Sequence, residues 1–170
     1  KKIEYFLTKN KFPEAQLTLR DWFRQPSIPK YKFKTLNDLA EKSPHQVIFL
    51  GDDCEHDADV FAQVAQKNPG KVLARYLRVV SGKTLPEGSI GFFTAFDVAC
   101  AELAAGRLTN EQVLRVGESV LNAKKNSRLI PRFSLKPPLA SVPFAGVVDE
   151  ALHQLWDNFF YFLRHHEWRD

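Results

Sequence analysis

Four β-prone residues in a row, Val47-Ile48-Phe49-Leu50, stop at Gly51 and are followed within six residues by Asp52, Asp53, Glu55 and Asp57. A continuous apolar run of this length suits a parallel strand buried on both faces, and the glycine marks its end. From Asp57 the spacing of Val60, Phe61, Val64 and Ala65 predicts a helix, closed by Asn68-Pro69-Gly70, and Val72 to Val80 predicts the next strand. Strand, helix and strand with short connections define a βαβ unit and hence an α/β fold around a parallel sheet. Ligands of such sheets bind at the carboxyl ends of the strands, where this acidic loop lies.

Upstream, Ile3, Phe6 and Leu7 have helical spacing that ends at Pro13, and Ala15 to Arg20 is expected to form a strand with Leu17 and Leu19 on one face. Lys32 to Lys42 is predicted helical, with Leu36, Leu39 and Ala40 inward. Past Ser81-Gly82 the pattern turns helical. Phe92 to Ala105 and Asn110 to Ala123 are expected helices, the second capped by Thr109 with Gln112 three residues on. An irregular connector over 126–146, with Pro131, Pro137, Pro138 and Pro143, precedes a last helix from about Val147 to His165. Its apolar stripe of Val148, Leu152, Leu155, Trp156, Phe159 and Phe162 suits core packing, docking or peripheral membrane contact. The expected domains are 1–80, α/β, and 81–170, helical.

Charge divides the chain more sharply than its net +4 suggests. Residues 1–35 carry nine Lys and Arg against three acids, and residues 36–70 carry two against seven. A basic block beside an acidic one suits a phosphate site, with cations facing the anion and carboxylates holding a metal; two solvated faces are the plainer alternative. Nucleic acid is not the expected partner, because the basic residues form no repeated stacking pattern with aromatics. No apolar run approaches the length of a membrane span, so a soluble chain, cytoplasmic or peripheral to a membrane, is expected. Cys54 and Cys100 fall in no Cys-x-x-Cys pair and are expected as free thiols in a reducing compartment. The chain contains no Met, even at its first position. The expectation is therefore that these residues come from a longer protein.

Hard cations such as Mg²⁺ take oxygen ligands, commonly one or two carboxylates with water and substrate phosphate. Asp52, directly after the strand, is the best candidate ligand. Asp57 could serve there or cap the following helix. Arg20, Arg24, Arg75 and Arg78 lie near predicted strand ends, where they could meet phosphate or a lipid headgroup. His165-His166 with Glu167 fits a solvated tail better than a metal site.

Several words of this sequence resemble one family. They are Phe12-Pro13, Leu17-Thr18-Leu19-Arg20-Asp21-Trp22, Tyr31-Lys32, Ile48-Phe49-Leu50-Gly51-Asp52 with Glu55-His56-Asp57, Pro69-Gly70-Lys71-Val72, and Tyr76-Leu77-Arg78. In this order and spacing, Lys11 to Val80 resembles the second half of the actin-patch-associated phosphatidate phosphatases, in the haloacid dehalogenase-like superfamily. The resemblance implies a Rossmannoid three-layer sandwich with a parallel sheet, followed here by a helical C-terminal portion. It also implies a Mg²⁺-dependent phosphatase acting through an aspartyl-phosphate, on a phosphorylated small molecule or lipid headgroup, phosphatidate in first place. By position Lys32 matches the charge-balancing lysine, with Lys30 and Lys34 as rivals; Asp52 matches the metal aspartate and Asp57 the second acid of its loop. Lys30, Arg20 and Asp53 are candidates for contacts with phosphate or substrate. No Asp-x-Asp-x-Thr occurs in the chain, so the implied nucleophile lies outside it. Asp53 and Cys54 stand where the family has a small hydroxyl residue and glycine. A non-catalytic scaffold with the same fold and a phosphatase of soluble phosphoesters are the alternatives.

Overall fold

The computed structural model describes residues 2–21, 23–122 and 146–165. In chain order the elements are α1 (Lys2–Lys9), α2 (Ile28–Lys42), β1 (Val47–Asp52), α3 (Asp57–Lys67), β2 (Val72–Arg78), β3 (Ile90–Phe92), α4 (Ala95–Ala104), α5 (Asn110–Leu121) and α6 (Gly146–His165). The three strands form one parallel sheet in the order β1-β2-β3. The architecture is thus α/β with a parallel sheet, as the sequence pattern predicts.

Adjacent strand residues point to opposite faces, and the two faces are covered by different helices. On one face Phe49 and Leu77 meet Ala40 of α2 and Val60, Phe61 and Val64 of α3, with Phe33 and Leu36 at the margin. The Phe49 and Phe61 rings lie 5.0 Å apart at a tilt of 31°, a separation at which aromatic pairs add to ordinary burial. Tyr76, fully buried, points the other way and hydrogen-bonds Glu102 of α4. Behind it a second core joins Phe96, Ala99 and Cys100 of α4 to Val113 of α5 and Val148 of α6. Gly117 makes that approach possible, since an added Cβ would lie 2.6 Å from Val148 Cγ1.

Local chemistry sets the helix ends. Thr94 caps α4 and Thr109 caps α5, each in a reciprocal capping box, with Asp97 and Gln112 respectively. The α5 box is the one the sequence predicts. Pro29 lies in the first turn of α2, where a missing N–H costs nothing. That helix therefore starts at Ile28, earlier than the expected Lys32.

Several expectations need correction. Ala15 to Arg20 is not a strand: Phe12 to Asp21 has no regular structure, and Leu19 is 62% exposed, so no apolar surface holds an alternating pattern in place. Strand β1 is not buried on both faces. Phe49 is buried, but Ile48 and Leu50 are exposed, on the face where Tyr76 of β2 meets Glu102 of α4. Leu39 is also exposed, on the side of α2 turned away from α3. Phe92 closes a strand rather than opening a helix; Ile90, Gly91 and Phe92 pair with Tyr76, Leu77 and Arg78, carrying the sheet past residue 80. Both cysteines are free, Cys54 exposed and Cys100 buried. The connector over 126–145, the side chains of Trp156, Phe159 and Phe162, and the His166-Glu167 tail lie outside the described residues.

Candidate functional site

The carboxyl end of β1 turns at Gly51-Asp52 into the acidic loop and then α3. Gly51 is dictated by its neighbour: an added Cβ would sit 2.6 Å from Asp57 Oδ2 and 2.8 Å from Asp57 Cβ. The missing side chain lets the Asp57 carboxylate fold back against the strand. Its Oδ2 lies 3.5 Å from the Asp52 amide, a long contact, while its Oδ1 accepts a 2.6 Å hydrogen bond from Lys32 Nζ. Asp57 is therefore no helix cap. His56 holds that position without a side-chain bond.

Three lysines were candidates for the charge-balancing role, and the helix separates them. Residues two apart on a helix point to nearly opposite sides. Lys32 reaches the acidic loop, with Glu55 Oε2 3.6 Å from its Nζ in addition to Asp57. Lys34 pairs along the outer surface with Asp38, and Lys30 is exposed. Burial acts to lower the Lys32 pKa, but the hydrogen bond and charge of Asp57, with help from Glu55, outweigh it and hold the ammonium above its ordinary value. The group is thus a fixed cation at the strand end.

Asp52 closes β1, and its Oδ1 accepts the Cys54 N–H at 2.9 Å, a turn that aims the loop back toward the sheet. Its partner in register on β2 is Arg78. Asp53 points inward instead. It is 2% exposed, and its carboxylate accepts from the backbone N–H groups of Val80 at 2.8 Å, Ser81 at 2.7 Å and Gly82 at 2.9 Å. Burial raises its pKa, yet the three N–H donors prevail and hold it below the usual carboxylate range. Expected as a substrate contact, Asp53 is placed here as the clasp between the loop after β1 and the loop after β2. Lys83 adds a 3.0 Å bond to the Cys54 carbonyl across the same junction. Sequence reading missed this clasp, whose partners are backbone atoms 27 to 29 residues away.

Arg20 also has an internal role: its guanidinium donates to the carbonyls of Gln25 at 3.0 Å and Pro26 at 2.9 Å, tying the turn that leads into α2. For Cys54, burial and the charges of Asp52 and Asp53 raise the thiol pKa, opposing thiolate chemistry.

Asp52 and Asp57 are hard oxygen donors flanking Gly51, a set that fits Mg²⁺ with water and phosphate oxygens filling its remaining positions. Among the described residues no group of three or more His, Cys, Asp or Glu side chains converges as a metal site. The fit rests on two carboxylates, one of them engaged with Lys32.

The parallel α/β sheet thus presents Lys32, Asp52 and Asp57 at the carboxyl end of one strand. Residues 1–79 match the family described as phosphatidate phosphatase APP1, catalytic domain. The resemblance expected from the sequence words is thereby shown for this part of the chain. Neither a curated protein nor a solved structure gives a significant match.

Proposed function

We propose that this chain carries the charge-balancing and cation-holding part of a Mg²⁺-dependent phosphatase site of haloacid dehalogenase-like type, with phosphatidate as substrate. The observation that supports this most is the 2.6 Å Lys32–Asp57 pair set against Gly51 beside Asp52, at the carboxyl end of β1. In this reading Lys32 would offset the charge of a nucleophilic aspartate and a phosphoryl group together. Such fixed electrostatics commonly supply the largest share of catalysis in phosphoryl transfer. Asp57 positions that ammonium, and the Asp53 clasp fixes the loop that orients Asp52. Mg²⁺, when bound, would neutralise phosphate charge, with Asp52 as its first protein ligand and Asp57 as the second. In this reading an aspartate outside this sequence would attack phosphorus as the phosphate–alcohol bond breaks and the alcohol leaves with a proton, and water would then split the aspartyl-phosphate into free aspartate and inorganic phosphate.

No helix among the described residues is long and apolar enough to cross a membrane, which is compatible with peripheral access to a lipid substrate. In the intact protein, Asp52→Asn is expected to abolish Mg²⁺-dependent phosphate release; full activity in that variant would overturn the assignment. Phosphatidate in mixed micelles is expected to be hydrolysed in preference to a water-soluble monoester, and the reverse preference would remove the lipid from the proposal.

A further inference from the structure

The loop after β2 aims three consecutive backbone N–H groups, those of Val80, Ser81 and Gly82, at one anion, the Asp53 carboxylate, from 2.7–2.9 Å. Gly82 is left-handed, with φ of 70°, and a turn through such a residue curls successive N–H groups into a concavity that binds anions. In sequence, Ser81-Gly82-Lys83-Thr84 just past β2 is the end of the G-x-x-x-x-G-K-[ST] pattern of phosphate-cradling loops. Leu77 stands where that pattern has its first glycine, and no helix lies between β2 and β3. The loop therefore lacks the helix end that holds a nucleotide's phosphate chain, and keeps a cradle for one small oxyanion. Lys83 adds a cation, its ammonium 3.0 Å from the Cys54 carbonyl next to Asp53. The outer side of the turn, Ser81 to Thr84, is exposed, whereas Asp53 is 2% exposed.

We propose that Val80–Gly82 forms a small-oxyanion site, fitted to a carboxylate or a phosphate, and that Asp53 is its tethered occupant. A turn that needed only an acceptor could be closed by a hydroxyl or an amide; three N–H donors with an ammonium beside them balance a full negative charge. The tether keeps a free anion out, because it holds the Asp53 carboxylate at an effective concentration that a dissolved anion does not match. At the carboxyl end of the sheet, Asp53 then leaves the Lys32 side as the place for a substrate phosphate. That last role rests on the phosphatase reading; the oxyanion site does not.

Asp53→Ala leaves a carboxylate-sized cavity lined by three unpaired N–H donors, which a free anion can fill. The ¹⁵N-labelled chain is titrated at pH 7 with formate and, separately, with inorganic phosphate, against sodium chloride of equal ionic strength. In Asp53→Ala each anion is expected to shift the Val80, Ser81 and Gly82 amide resonances saturably and to raise the melting temperature by about 3–6 °C. The parent and Asp53→Asn, whose cavities are filled, are expected to show neither effect. Should Asp53→Ala be unfolded in chloride, formate is expected to restore its folded spectrum, and Asp53→Ser offers the same titration in a smaller cavity. No response to formate in either variant, or an equal response to chloride, would overturn the site; a response to formate alone would remove phosphate from it. A saturable shift in the parent would overturn the exclusion by Asp53. Full activity of Asp52→Asn in the intact protein would remove the phosphatase reading and with it the placing of phosphate, while anion binding by Asp53→Ala would stand.

Discussion

Replacing Asp53 by Asn tests whether the clasp between the two strand-end loops is as strong as its geometry implies. The carboxylate receives three N–H groups, those of Val80 and Ser81 on Oδ1 and that of Gly82 on Oδ2. An Asn carbonyl placed at Oδ1 keeps the first two bonds but without charge assistance, a loss of roughly 0.5–1 kcal/mol each. Its NH₂ group then faces the Gly82 N–H, which removes a third bond of about 1 kcal/mol and sets donor against donor. The sum is about 2–3 kcal/mol. For a chain of this size that is a fall in melting temperature of about 4–12 °C at pH 7, read by calorimetry or circular dichroism. The pH dependence supplies an independent check. The folded-state pKa lies below the ordinary 3.8, so the stabilisation is complete above that value and fades as pH falls through the folded one. The gap between parent and Asp53→Asn should therefore narrow below about pH 4. A variant that melts within about 1 °C of the parent at pH 7, or a gap that stays constant in acid, would refute the reasoning.

Other substitutions separate site from scaffold. Gly51→Ala should displace Asp57 from the strand, cost about 1–3 kcal/mol and lower phosphate release by the intact protein, whereas a wild-type melting curve would show that the close approach is not required. Lys32→Met is expected to abolish activity in the intact protein. Because the folded-state pKa of Lys32 is raised above 10.5, the parent's ion-pair stabilisation should be present below that pH and vanish as pH rises beyond it, a trend absent from the Met variant in alkaline melts. Gly117→Ala gains about 1 kcal/mol of helix propensity, but its Cβ would meet Val148 Cγ1 at 2.6 Å, so a net loss of stability is expected. Tyr76→Phe removes the hydroxyl bonded to Glu102 and should cost about 1–2 kcal/mol while leaving the Arg107–Glu102 pair intact. In the parent, burial and then Glu102 push the Tyr76 pKa up to about 12, so the phenolate signal lost on Tyr76→Phe should develop only above the ordinary tyrosine range, with about a tenth of it formed at pH 11.

Much of the site was legible because its signals are local. A β-prone run, a glycine and clustered acids specify where a strand stops and a loop begins, and β1 and α3 follow that reading closely. The preference among three lysines followed a matched word rather than physics, since Lys30, Lys32 and Lys34 are alike in one dimension. The helix distinguishes them by aiming one inward and two outward. Where the reading failed, the deciding contact was distant in the chain. Leu17 and Leu19 alternate as a strand should, yet a strand exists only where a neighbour accepts its hydrogen bonds. Ile90 to Phe92, too short for periodicity to register, is a strand because Tyr76 to Arg78 lie beside it.

The sequence by itself determined the class of fold, the cap of α5 and the place where acids and lysine could gather, because propensity, periodicity and capping act over a few neighbouring residues. Only the tertiary structure decided that Asp57 faces Lys32 and that Asp53 is a clasp rather than a contact. It alone left one edge of β1 open beneath α2. Those outcomes depend on which backbone groups and side chains are brought together across some 25 to 30 positions. No local pattern of residues encodes that distance.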